Sequence, residues 1–122
     1  MPGVFDLRPF VPALDSAQSV RFYRALGWDV VDVGSGLHLV TASDQHFYLQ
    51  DVADRHLAEN TMLHFTVDDA AVWHEHVAAA LRADPTVGGR VQEPRRQPYG
   101  AVVTFVHDPS GVLLHFCQWD RV

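Results

Sequence analysis

The feature that most constrains the fold is that the chain repeats itself. An extended segment, Leu7 to Ala13, precedes Asp15, after which Val20, Tyr23 and Leu26 recur at helical spacing until Gly27. The same order returns further on: Met62 to Val67 reads as a strand, and Ala70 to Arg82 as a helix with Trp73, Val77 and Leu81 on one side. Asp15 and Asp69 stand where a carboxylate can accept the free N–H groups of a helix start, and Gly27 can adopt the backbone that ends one. The first helix is therefore expected over about residues 16–26. After each helix come three short runs rich in β-branched and aromatic residues. In the first half these are Trp28 to Val33, Leu37 to Thr41 and His46 to Gln50, and the second set follows Gly88-Gly89. The stretch Val11 to Asp15 matches Phe65 to Asp69, and His46 to Gln50 matches Leu113 to Cys117. A strand-helix-strand-strand-strand unit found twice is an internal duplication. It makes the chain α+β, a single domain over 1–122 built of two βαβββ modules at about 4–51 and 60–119. The polar, aperiodic stretch Asp51 to Asn60 is expected to be the connection, and Pro9 and Pro12 point to an edge or irregular first strand.

The second module closes on the clearest local pattern. Pro98-Tyr99-Gly100 opens an apolar run from Ala101 to Val106, and Asp108-Pro109-Ser110-Gly111 turns it back into Val112 to Trp119. That is a hairpin. In its second strand Leu114 and Phe116 alternate with Leu113, His115 and Cys117, so one face packs and the other lines something. Likewise Leu63, Phe65 and Val67 take the helix-facing side, which leaves Met62, His64 and Thr66 on the other.

Charge and composition exclude several classes. The 15 acidic residues outnumber the 9 basic ones, giving a net charge of -6, and Arg90, Arg95 and Arg96 form the only local basic cluster. No nucleic-acid partner is expected, and a small cationic ligand suits the overall balance better. No apolar run is long enough to cross a bilayer. The start, Met1 to Asp6, lacks the basic-then-apolar pattern of a secretory signal, and the single Cys117 cannot form an intrachain disulfide, so a cytoplasmic location is expected.

The doubled βαβββ unit, Phe22-Tyr23 with Leu26-Gly27 closing the first helix, Asn60 to Phe65, and Asp108-Pro109-Ser110-Gly111 together resemble the glyoxalase/bleomycin-resistance/dioxygenase superfamily, also called vicinal oxygen chelate. The resemblance is nearest to the bleomycin-resistance branch. It implies a cup-shaped mixed sheet with helices outside, a ligand cavity between paired units, and a homodimer. Metal-dependent members place ligands on the first and last strand of each half, and these positions carry over to Arg8, Tyr48, Met62 and His115. A catalytic divalent ion needs several His, carboxylate or thiolate donors, and only His115 is a good one. The resemblance therefore implies no metal and no other cofactor. The alternative is a shifted divalent-metal site near His64 and His115, with Cys117 on the same face, serving a lyase, isomerase or dioxygenase. A third possibility is a dimeric scaffold or sensor without a small ligand.

The expected ligand-binding residues are Arg8, Phe10, Tyr48, Gln50, Met62, His64, His115, Tyr99 and Trp119. They make a mixed aromatic and polar lining of the kind small-molecule sites have. Arg8 is available there to pair a ligand carboxylate. Trp28 and Trp73 are expected in the core, His107 in a turn, and Cys117 as a small buried apolar group. His74-Glu75-His76 is no metal motif, because helix neighbours at i and i+2 point about 200° apart. The function these readings imply is small-molecule binding or sequestration without metal chemistry.

Overall fold

The computed structural model of the protein describes residues 1–121. The first module runs β1 (Phe10–Ala13), α1 (Ser16–Ala25), β2 (Asp29–Gly34), β3 (Leu37–Ala42) and β4 (Gln45–Asp51). Its sheet has the order β1-β4-β3-β2, with β1 parallel to β4 and the other pairs antiparallel. A short helix, α2 (Arg55–Glu59), joins it to β5 (Met62–Thr66) and α3 (Ala70–Ala83). There follow β6 (Arg90–Val91), β7 (Arg95–Gln97), β8 (Ala101–His107) and β9 (Leu113–Trp119), in a sheet of order β5-β9-β8-β6 with β7 also paired to β8. Again the first strand is parallel to the last.

Four expectations need correction. The first strand begins at Phe10, not Leu7: Pro9 has no N–H for a ladder, although its carbonyl accepts from the Tyr48 N–H at 2.9 Å. The connection is not irregular throughout, because Asp54 caps α2 by accepting from the Leu57 N–H at 3.0 Å; five residues are too few to show a helical period. The strand after Gly89 is broken into β6 and β7 by a segment containing Pro94, which cannot donate to a ladder, though the Gln92 N–H still reaches Phe105 O at 3.0 Å. His107, expected in a turn, ends β8.

The helix-facing sides of both sheets share one core. Val11 and Leu49 from the first sheet, Phe22 and Tyr23 from α1, and Val106, Leu114 and Phe116 from the second belong to a single buried cluster. Trp28 and Trp73 sit against it as expected, Trp73 stacking on Phe116 with centroids 4.5 Å apart. The Asp108–Gly111 turn is bonded to the first module. The buried Tyr23 hydroxyl donates to Asp108 Oδ2 at 2.7 Å, Asp108 Oδ1 accepts from the Ser110 and Val112 N–H groups, and Ser110 Oγ accepts from Leu14 N–H at 3.0 Å. Burial pushes the Asp108 carboxyl up while the Tyr23 hydroxyl holds it down; burial and the Asp108 charge push the Tyr23 phenol well above its ordinary range. Gly111 has φ 95°, and a Cβ there would meet Glu59 Cγ at 3.1 Å, so this turn position requires glycine.

Candidate functional site

Alternation along the strands turns one side of each sheet toward the shared core and the other away from it. On the first sheet the outer side carries a row formed by register: Val31 on β2, Leu39 on β3, Tyr48 on β4 and Phe10 on β1. The next row holds Leu37, Gln50 and Pro12. Phe10 and Tyr48 are in contact, centroids 5.1 Å apart, and Phe10 is 54% exposed. Arg8 Nη1 donates to the Tyr48 hydroxyl at 3.0 Å, its Nε donates to Asp6 Oδ2 at 2.6 Å, and its guanidinium carbon lies 5.7 Å from the Tyr48 ring centroid. The hydrogen bond to Tyr48, then that to Asp6, holds the Arg8 guanidinium pKa above its ordinary value. Arg8 is thus engaged within its own chain instead of standing free for a ligand carboxylate.

The outer side of the second sheet is different. Phe105, His115 and His64 form its central row, with Phe105–His115 and His64–His115 centroids 4.9 and 6.4 Å apart. Trp119 lies 5.7 Å from His64, and Tyr99, in the turn before β8, lies 5.8 Å from Trp119. The Trp119 indole N–H donates to Thr66 Oγ1 at 3.4 Å, and that hydroxyl is bonded to His64 Nε2 at 3.2 Å. Met62 stands at the end of this face, 63% exposed. His115 Nε2 is buried and has no hydrogen-bond partner among the described residues. Burial, with His64 adding to it, holds the His115 pKa below the ordinary histidine value.

The expected site residues therefore gather as two groups. Phe10, Tyr48 and Gln50 lie on one sheet with Arg8 just before its first strand; Met62, His64, Tyr99, His115 and Trp119 lie on or beside the other. Two cavities were not foreseen. A cleft of about 1030 Å³ runs beside β5 and is lined by Phe5, Leu7, Trp28, His46, Phe65 and Trp73 among others; of the expected site residues it reaches His64, next to Thr66. A smaller one, about 390 Å³, lies at the Asp108–Gly111 turn with Arg55, Arg90 and His107. The first escaped notice because Trp28, Phe65 and Trp73 occupy core-type positions, and β5, paired among the described residues with β9 alone, leaves their outer rims uncovered.

The donor set does not fit the divalent ion that the resemblance implies for metal-dependent relatives. Arg8 is cationic and occupied by Tyr48 and Asp6, while Met62 is a soft thioether facing solvent. Cys117 shares the face of His115 but is fully buried with Ala101 and Val103 against Phe105, and burial raises its thiol pKa. Among the described residues no three His, Cys, Asp or Glu converge. His74 and His76 have separate backbone partners, Gln92 O and Leu26 O.

This doubled βαβββ frame with outward-facing linings defines a class, and the family comparison agrees. Residues 9–116 match the model of the Glyoxalase/Bleomycin resistance protein/Dioxygenase superfamily, and the chain belongs to that superfamily. Among solved structures it is similar to the bleomycin-binding protein from bleomycin-producing Streptomyces verticillus, complexed with copper(II)-bleomycin, with a TM-score of 0.81 and 23% identity over 99% of this chain and 100% of that one. A bleomycin resistance determinant encoded on transposon Tn5 gives 0.74 and 21%, covering 97% and 100%. Lactoylglutathione lyase from Agrobacterium tumefaciens gives 0.65 and 16%, covering 95% of both chains. At these identities the likeness is one of fold. A search of curated proteins finds no match.

Proposed function

We propose that the protein is a cytoplasmic small-molecule-binding protein that holds a partly aromatic ligand against its outward-facing sheet surfaces without altering it. The observation that carries this reading is the chemistry of those surfaces. Phe10, Tyr48, Trp119 and Tyr99 present aromatic rings away from the core, and the imidazoles of His64 and His115 stand among them with hydrogen-bonding capacity to spare. Rings placed so cost hydrophobic burial unless something covers them. A second copy of the chain is the natural cover, because each sheet is open and the arm before β1 is exposed through Val4, Phe5 and Leu7. The working form is therefore a homodimer that closes two cups, with no nucleic-acid or membrane partner. No helix among the described residues is long and apolar enough to cross a membrane.

The test is a thermal-shift screen of aromatic compounds on protein purified without chelator, followed by Tyr48→Ala and His115→Ala. Both variants should weaken the binding of any hit while the free protein melts within a few degrees of wild type. Collapse of the fold with unchanged affinity in the folded fraction would refute the reading. The unpartnered His115 Nε2 beside His64 favours one rival, a metal-dependent enzyme. Divalent metal should be below about 0.2 per chain; near-stoichiometric metal, lost in both His64→Ala and His115→Ala, would promote that rival. Light scattering should give twice the 13.6 kDa chain mass.

A further inference from the structure

The two sheets segregate charge. The strands of the first contain Asp29, Asp32 and Asp51 and no arginine; the strands of the second contain Arg90, Arg95 and Arg96 and no acidic residue. Arg96 is turned away from the lining face and grips Asp120 with both guanidinium nitrogens, at 2.9 and 3.1 Å. Arg90 and Arg95 are exposed and make no ion pair among the described residues, in a chain with 15 acidic groups to offer. Register puts both on the lining face. Arg90 is opposite His107 and Arg95 opposite Val103, so they bracket the row of Phe105, His115 and His64 from the β6–β7 edge. Arg95 stands one row from Trp119, the ring at that end of the face.

We propose that this face selects an anion: a planar aromatic ligand lies along the Trp119, His64 and His115 rings, and its carboxylate is held by Arg95, with Arg90 as the second cation of the same edge. The proposal rests on the ligand-binding reading above and narrows it. It also opposes the expectation drawn from net charge. At physiological ionic strength charges beyond roughly 8–10 Å are screened, so acids elsewhere on the molecule count for less at this face than the two arginines on its rim. A guanidinium offers a fork of donors that fits a carboxylate two-pronged. The neutral form of His115, favoured by its burial, stacks without adding charge of its own.

The experiment measures the affinities of naphthoate and its neutral amide, naphthamide, by calorimetry. Wild type should bind naphthoate at least about tenfold tighter, the scale of a hydrogen-bonded charge pair, and added salt should weaken naphthoate alone. Arg95→Gln should erase the preference while leaving naphthamide affinity intact, and Arg82→Gln, on α3, should change neither. If Arg95→Gln does not fold, Arg90→Gln and the salt dependence carry the test. Equal binding of the two probes would overturn the anion assignment and leave the ligand-binding reading standing; binding of neither would overturn both. A dimer weakened by Arg95→Gln at unchanged naphthoate affinity would give the arginines to the subunit contact and also overturn the proposal.

Discussion

At matching places the two modules hold different chemistry on the same backbone. Phe10 stands five residues before the cap Asp15 and pairs in register with Tyr48; His64 stands five before Asp69 and pairs with His115. One pair is two phenyl-type rings at 5.1 Å, the other two imidazoles at 6.4 Å. Their flanks differ in the same sense, aliphatic with aspartate in the first sheet and aromatic with arginine in the second. The opposite faces have not diverged in this way: Val11 and Leu49 in one sheet and Leu114 and Phe116 in the other are all buried apolar groups in one cluster. Packing tolerates little change where the interior is dense, whereas an outward face is free to take whatever its ligand or partner requires.

The comparison breaks first at the core. Phe116→Ala, which removes the ring stacked on Trp73 and Phe65, should cost about 3–5 kcal/mol in chemical denaturation. His115→Ala, one residue earlier and on the other face, should cost a small fraction of that; similar losses would mean that both faces of β9 are core. Next comes the bond between modules. Tyr23→Phe deprives the buried Asp108 Oδ2 of its donor and should destabilise by about 1–3 kcal/mol, with both modules unfolding in one transition; two separate transitions would show that the modules are independent. On the lining itself the effect is on affinity. A ring stacked on Tyr48 gains about 1 kcal/mol beyond area burial, so Tyr48→Ala should weaken a bound aromatic compound roughly fivefold in titration.

The smallest effect is on pH dependence, and it belongs to the second sheet. Burial depresses the pKa values of His115 and His107, with His64 and Arg90 respectively adding to the shift. The unfolded chain therefore takes up protons on these rings at higher pH than the folded protein, and stability present above about pH 6.5 is lost as the pH falls through the folded values. Asp108, raised by burial, acts in the opposite direction, its contribution fading as the pH rises through its folded value. Denaturation midpoints between about pH 7.5 and 5.5 should decline less in His115→Asn with His107→Asn than in wild type. Equal slopes would place the titration elsewhere.

Much of this was legible in the sequence because its signals are local. Asp15, Asp69 and Gly27 marked helix ends, alternation in β5 and β9 sorted core from lining, and the repetition of one order of elements paired Tyr48 with His115. The failures were local as well where a pattern is too short to read: α2 has only five residues, and a single proline region broke the strand that became β6 and β7. What tertiary structure decided is different in kind. That the nine expected site residues divide between two sheets, that Arg8 is spent on Tyr48 and Asp6 while Arg90 and Arg95 are free, and that Cys117 is sealed beneath its neighbours all depend on which strands lie side by side. Side-chain alternation states which way a residue points within its strand; what it then meets is set by pairings between residues tens of positions apart, and no local periodicity encodes those.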